Sequence, residues 1–255
     1  MKLGLLTYNI ARDWDLDTLL AKCTELHYEG IELRTDQKHA HGVEVSLSKA
    51  DRTSVRKRVE ATGVALCGLG SGCRYDNPDP AAVRKEVEHT KKLLELTGDV
   101  GAPGLKVFGN NFHEAEGIPR PKTIEQVAAA LAECSRVAAD FGVELRLEMH
   151  GDFYRADDVL ECLRLAGHPS LKLIYNSDPR DMVDGSPVPI IKKVQAHVTH
   201  IHMHELTDPR FPYRTMVNVF KRAGYGGFFV AEIEGSPQPE RVLRYYHDLW
   251  HAYAD

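Results

Sequence analysis

No CxxC pair occurs in this chain. Its five cysteines, at positions 23, 67, 73, 134 and 162, are an odd number, which argues against a disulfide framework and for a reducing compartment. Long apolar runs are missing too. The opening MKLGLLTYNI carries one lysine and turns polar at Tyr8 and Asn9, too early for a signal segment or a membrane span, so it reads as a first buried strand. A soluble, cytoplasmic protein with no membrane partner is expected. Positive charge is not in excess: 32 Lys and Arg stand against 37 Asp and Glu, a net charge of −5, which disfavours a nucleic-acid partner. The glycine fingerprint of dinucleotide-binding folds is also absent, because the first strand hands over to TYNIARDW rather than GxGxxG. No linker, low-complexity tract or break in composition divides the 255 residues.

What is present is a regular alternation. Short apolar runs recur at 3–8, 30–33, 64–69, 104–109, 143–149, 171–176, 199–204 and 228–233. Longer segments follow them, such as 16–28, 81–98, 123–142 and 239–254, whose apolar residues repeat at spacings of three and four, the mark of one buried helical stripe. Gly98 and Gly142 read as helix stops. Eight strand–helix units predict an α/β fold, a single (β/α)8 TIM barrel over residues 1–255. The links from helix to strand are short and those from strand to helix are long (34–47, 70–79, 109–122, 177–188). The long links are expected at the C-terminal face of the barrel, where active sites of this architecture lie.

The strands carry polar residues at alternate positions, where a barrel needs apolar side chains on only one face. In VELRLEMHG these are Glu144, Arg146, Glu148 and His150; in HIHMHE they are His200, His202 and His204. Other strands add Glu32 and Arg34, Lys106, Asn176, and Glu232 with Glu234. The apolar set must face the helices, so the polar set points into the lumen, where charges are costly unless paired or bound to a cation. Glu144 with Arg146 reads as an ion network at the barrel bottom. His200 lies deeper than its neighbours, as either a core residue or a ligand. His27, His89, His168, His247 and His251 fall on helices or short links and read as surface residues. Nearest the C-terminal ends of four consecutive strands are Glu148 and His150, Asn176, His202 and His204, and Glu232 with Glu234, from which a Glu, His, Asn and Glu make an N/O donor set for one divalent metal.

With GIEL (30–33), LEMHG (147–151), HIHMHE (200–205) and GYGGFFVAEIEG (224–235), the sequence resembles the xylose isomerase-like TIM barrel superfamily over nearly its whole length. That superfamily holds sugar isomerases and epimerases and is related to endonuclease IV. The resemblance implies one bound Mn²⁺, Mg²⁺, Co²⁺ or Zn²⁺, with Glu148, Asn176, His202 and Glu232 as ligands and Glu148 and Glu232 as the proton-transferring pair. It implies isomerisation or epimerisation of a ketose, keto-sugar or polyol derivative through an enediolate. His150, His204, Lys106, Arg34 and Arg210 are candidates to hold a small-molecule sugar or its phosphate, with Trp14 or Tyr8 against its apolar face. The chain departs from the family at strand six, where Asn176 replaces the usual Asp and Pro179 the usual His; Asp178 is an alternative ligand. Three other readings stay open: a keto-polyol dehydratase, an endonuclease IV-like phosphodiesterase and a non-catalytic sugar-binding barrel. The aromatic C-terminal helix RVLRYYHDLWHAYA fits either a homo-oligomer contact or core packing.

Overall fold

The computed structural model describes residues 1–254. Eight parallel strands pair in chain order, and β1 closes on β8 to form a barrel. The strands are β1 (Lys2–Leu6), β2 (Gly30–Arg34), β3 (Ala65–Arg74), β4 (Gly104–Asn110), β5 (Glu144–Gly151), β6 (Leu171–Asn176), β7 (Val198–Met203) and β8 (Phe228–Ala231). Between and after them run α1 (Leu16–Glu25), α2 (Lys49–Glu60), α3 (Pro80–Val100), α4 (Arg120–Asp140), α5 (Ala156–Ala166), α6 (Val188–Val194), α7 (Tyr213–Arg222) and α8 (Pro239–Ala254). Several helices start where a short polar side chain takes up a free backbone N–H. Asp15 caps α1 through the Thr18 amide, Ser48 caps α2 through Asp51, and Asp79 caps α3 through Ala81.

Period-two alternation separates the two faces of each strand. On β5, Leu145, Leu147 and Met149 are buried against the helices, while Arg146 and Glu148 are buried in the lumen. Each such leucine stabilises the barrel by roughly 1.5–3 kcal/mol relative to exposure. On α8, Leu243, Tyr246 and Trp250 all turn inward, so core packing accounts for most of that helix's aromatic character. Among the described residues no helix is long and apolar enough to cross a membrane.

Several boundaries differ from the sequence expectation, three of them with a clear cause in packing or register. Gly98 lies inside α3, which ends instead at Gly101, in the left-handed region at φ 81°. The need for glycine at 98 is contact: a Cβ there would sit 3.2 Å from that of Phe141. Strand β3 runs on to Arg74 through a shift in its register with β4, with Ser71 Oγ donating to the Lys106 carbonyl at 2.5 Å. Strand β8 stops at Ala231, and the Glu232 amide still donates to the Met203 carbonyl at 2.8 Å. That last bond fixes Glu232 at the rim beside β7.

Candidate active site

The lumen is filled by a connected polar column. At its base Arg146 donates to Glu144 at 2.8 Å and to the Cys67 carbonyl at 2.9 Å. Its guanidinium also donates to Nδ1 of His200 at 3.3 Å, which leaves His200 Nε2–H to donate to Glu32 at 2.7 Å. Burial pulls the His200 pKa down to about 4 against the opposing pull of Glu32, so this imidazole is neutral. Both its nitrogens are engaged at the base of the column, and with Glu32 and His202 it also brings three donor atoms within 4.8 Å of one another.

Glu32 accepts a second bond, from His202 Nε2 at 2.9 Å. Strand β3 makes room for this carboxylate with Gly70, where a Cβ would lie 3.2 Å from Glu32 Oε1. The other face of the His202 ring looks toward the mouth. Its Nδ1 is 2.5 Å from Glu148 and 3.3 Å from Glu232. Lys106 completes the group, donating to Glu148 at 3.1 Å from a fully buried position.

Charges set the protonation states here. Burial alone would lower the His202 pKa, but Glu32, Glu148 and Glu232 together hold it well above the usual histidine value. Conversely, burial would raise Glu148, and Lys106 and His202 hold it below the ordinary carboxylate range. Glu232 is also held low, by His202 against both burial and the repulsion of Glu148. Glu32 is well below its normal value because the two histidines outweigh its desolvation.

The donor set suits a divalent cation. One ligand atom each from Glu148, His202 and Glu232 lie within 4.8 Å of one another. Asn176 pairs in register with His202, and its buried Oδ1 has no hydrogen-bond partner among the described residues. An unpaired buried acceptor beside two carboxylates and an imidazole is what a hard or borderline cation would satisfy. Asp178 lines the same cavity, where it accepts from the Arg180 guanidinium at 2.6 Å and from the Arg180 amide at 2.8 Å.

A cavity of about 420 Å³ opens above this cluster, with Tyr8, His150, Asn176, His204, Glu232 and Glu234 in its wall. His204 Nδ1 donates to the Glu232 carbonyl at 3.1 Å, and His150 Nδ1 is 2.9 Å from Asn110 Oδ1. Arg34 stacks over the Tyr8 ring at 5.1 Å, just behind that wall. Trp14 lies in an adjoining cavity that shares Glu234 with the first. Of the residues singled out from sequence, Glu148, Asn176, His202 and Glu232 converge, with His150 and His204 at the mouth. Lys106 sits beneath Glu148 rather than in the wall, and Arg210 is exposed and paired with Asp208 at 2.7 Å. Sequence reasoning placed Glu32 in the lumen but gave it no role; its signals were the alternate position it shares with Arg34 and its place in GIEL. Arg180 was missed, yet it lines the cavity, stacked 4.0 Å over Tyr154.

Residues 20–251 match the family described as xylose isomerase-like TIM barrel. The chain belongs to that family. No curated protein matches this member of the xylose isomerase-like family closely. Its fold is similar to that of D-psicose 3-epimerase from Clostridium cellulolyticum H10, crystallised with D-tagatose, at a TM-score of 0.83 and 15% identity, each chain covered in full. The 3-keto-D-glucoside 4-epimerase of E. coli aligns at 0.79 and 14% identity over 98% of both chains. The IOLI protein, with a binding zinc atom, aligns at 0.77 and 15% identity over 99% of this xylose isomerase-like chain and 96% of its own.

Proposed function

We propose that the protein is a divalent-cation-dependent epimerase or isomerase of a ketose, keto-sugar or related polyol derivative, and that it moves a proton at the carbon beside the carbonyl. One observation carries this reading. Two carboxylates held ionised, Glu148 on β5 and Glu232 after β8, meet at one buried imidazole beneath a polar cavity of sugar size. The likeness to sugar epimerase folds supports it.

The chemistry follows from the pair. One glutamate, ionised, takes the carbon-bound proton: the C–H bond breaks, an O–H bond forms on the carboxyl, and the electron pair stays on the substrate as an enediolate. The other glutamate, ionised at rest, takes a proton from water or a substrate hydroxyl and delivers it to the opposite face for epimerisation or to the neighbouring carbon for isomerisation. A cation held by Glu148, Asn176, His202 and Glu232 would supply Lewis acidity toward the substrate's adjacent oxygens. Asn176 adds a neutral oxygen to that set, so two carboxylates face one dication. His150 and His204 are placed to hold hydroxyls, and Tyr8 offers a ring face at the wall. Lys106 acts through Glu148, whose ionised form it favours.

Glu32 belongs to the same machinery as a positioning residue. By accepting from His202 Nε2–H it fixes the tautomer that leaves Nδ1 facing Glu148 and Glu232. Glu32→Gln is expected to weaken Mn²⁺ binding by about 10–100-fold, as isothermal titration calorimetry would read; unchanged affinity would detach Glu32 from the site.

The function itself is tested by incubating the protein with Mn²⁺ and a panel of ketoses and inososes in D₂O. Solvent deuterium should appear at one substrate carbon, by mass spectrometry and NMR. Its absence across a broad panel would rule out proton transfer as the activity.

A further inference from the structure

At the C-terminal ends of β2 and β3, apart from the residues that line the cavity, three side chains of different donor type come together. Asp36 follows β2, Cys73 sits near the end of β3, and His89 is on α3; one ligand atom from each lies within 4.8 Å of the others. His89 Nε2 is 2.9 Å from Asp36 Oδ2. The Asp36 backbone adopts φ 65°, a left-handed conformation uncommon outside glycine, and its amide donates to Glu44 Oε2 at 2.8 Å. Cys73 is buried beneath the pair, whereas His89 and Asp36 are partly open to solvent.

We propose that Asp36, Cys73 and His89 form a second metal site, one that takes a borderline-soft dication of the zinc type with water as the remaining ligand. The donor chemistry separates it from the lumen cluster. A thiolate, an imidazole and a carboxylate select Zn²⁺ or Co²⁺ over Mg²⁺, whereas the lumen set of three oxygens and one nitrogen also suits harder ions. A plain surface ion pair over a buried cysteine explains less. Burial above all pushes the thiol's pKa up to about 12, and the negative field of Glu86 and Asp36 adds to it against the pull of neighbouring Thr90 and Ser71. A dication resolves that conflict: the S–H proton goes to solvent as the metal–sulfur bond forms, and the cation's charge offsets the two carboxylates. The bound ion would tie the start of the long 35–48 connection to β3 and α3. This site does not depend on the function proposed for the barrel mouth.

Cobalt titration of the metal-free protein tests it. Thiolate ligation gives a near-ultraviolet sulfur-to-cobalt charge-transfer band that oxygen and nitrogen donors do not. The band should appear with Co²⁺, be displaced by Zn²⁺ and persist in excess Mg²⁺. Cys73→Ser should abolish it and lower cobalt stoichiometry by one per chain. His89→Ala, a change on a partly exposed helix face, should weaken Co²⁺ binding at this site by tenfold or more, and it covers the case in which the cysteine variant fails to fold. Absence of the band in the wild-type protein, its survival in Cys73→Ser, or unaltered affinity in His89→Ala would each overturn the proposal.

Discussion

Glu148→Gln and Glu232→Gln are each expected to lower kcat by about 10²–10⁴-fold, the span typical for loss of a positioned acid–base group. The two variants should differ in stability. Glu148 is buried between Lys106 and His202, at 3.1 and 2.5 Å, so an amide there takes the carboxylate from Lys106 and leaves His202 with Glu32 and Glu232. Breaking such a buried pair costs about 3–5 kcal/mol. Glu232 lies at the rim and reaches His202 only at 3.3 Å, so its amide should lose turnover with a much smaller fall in melting temperature. Steady-state kinetics on a substrate that exchanges deuterium, with a thermal melt of each variant, separates the effects. Full activity in either variant would remove that glutamate from proton transfer.

His202→Ala is expected to have the largest combined effect. The ring faces Glu32, Glu148 and Glu232, and its removal leaves three carboxylates close together in the lumen with Lys106 as the nearby cation. A loss of about 3–5 kcal/mol is expected in the metal-free protein, with loss of bound metal on elemental analysis. Full metal retention would count against its ligand role. The pH dependence has a definite sign. The folded-state pKa of His202 is raised, so the stability it contributes is complete below the unfolded value of about 6.5 and is lost as pH rises through the raised value. The gap between wild type and His202→Ala in urea midpoint, without metal, should therefore narrow as pH rises above that range. A gap that widens would contradict the assigned protonation. Metal binding should tighten over the same range, because ligation displaces a proton.

Much of this arrangement is legible in the sequence. Alternation of side chains fixes which face of VELRLEMHG and HIHMHE enters the lumen, and the order of the units fixes which strands are neighbours. Together they bring Glu148, Asn176, His202 and Glu232 to one place without knowledge of distances. Contacts across the barrel are harder to read. That Glu32 on β2 reaches both His200 and His202 on β7 depends on strand stagger and on the space left by Gly70, neither of which is encoded locally. Loop conformations are equally opaque. Nothing in YNSDPRD says that Asp178 folds onto Arg180 and leaves Asn176 as the residue facing His202. The ends of β3 and β8 shift for a related reason, because backbone pairing continues or stops with register rather than with hydrophobicity. His200 illustrates the gain from geometry: a histidine that sequence leaves as core residue or ligand is bonded at both nitrogens, to Arg146 and to Glu32, deep in the lumen.

The column from Glu144 through Arg146, His200, Glu32 and His202 to Glu148 and Lys106 joins the floor of the barrel to its mouth by unbroken hydrogen bonds. Arg146 occupies Nδ1 of His200 and so turns its Nε2–H onto Glu32, which in turn takes the Nε2–H of His202. The imidazole beneath the mouth is thus oriented from the floor of the barrel, by side chains on strands rather than by the loops around the cavity.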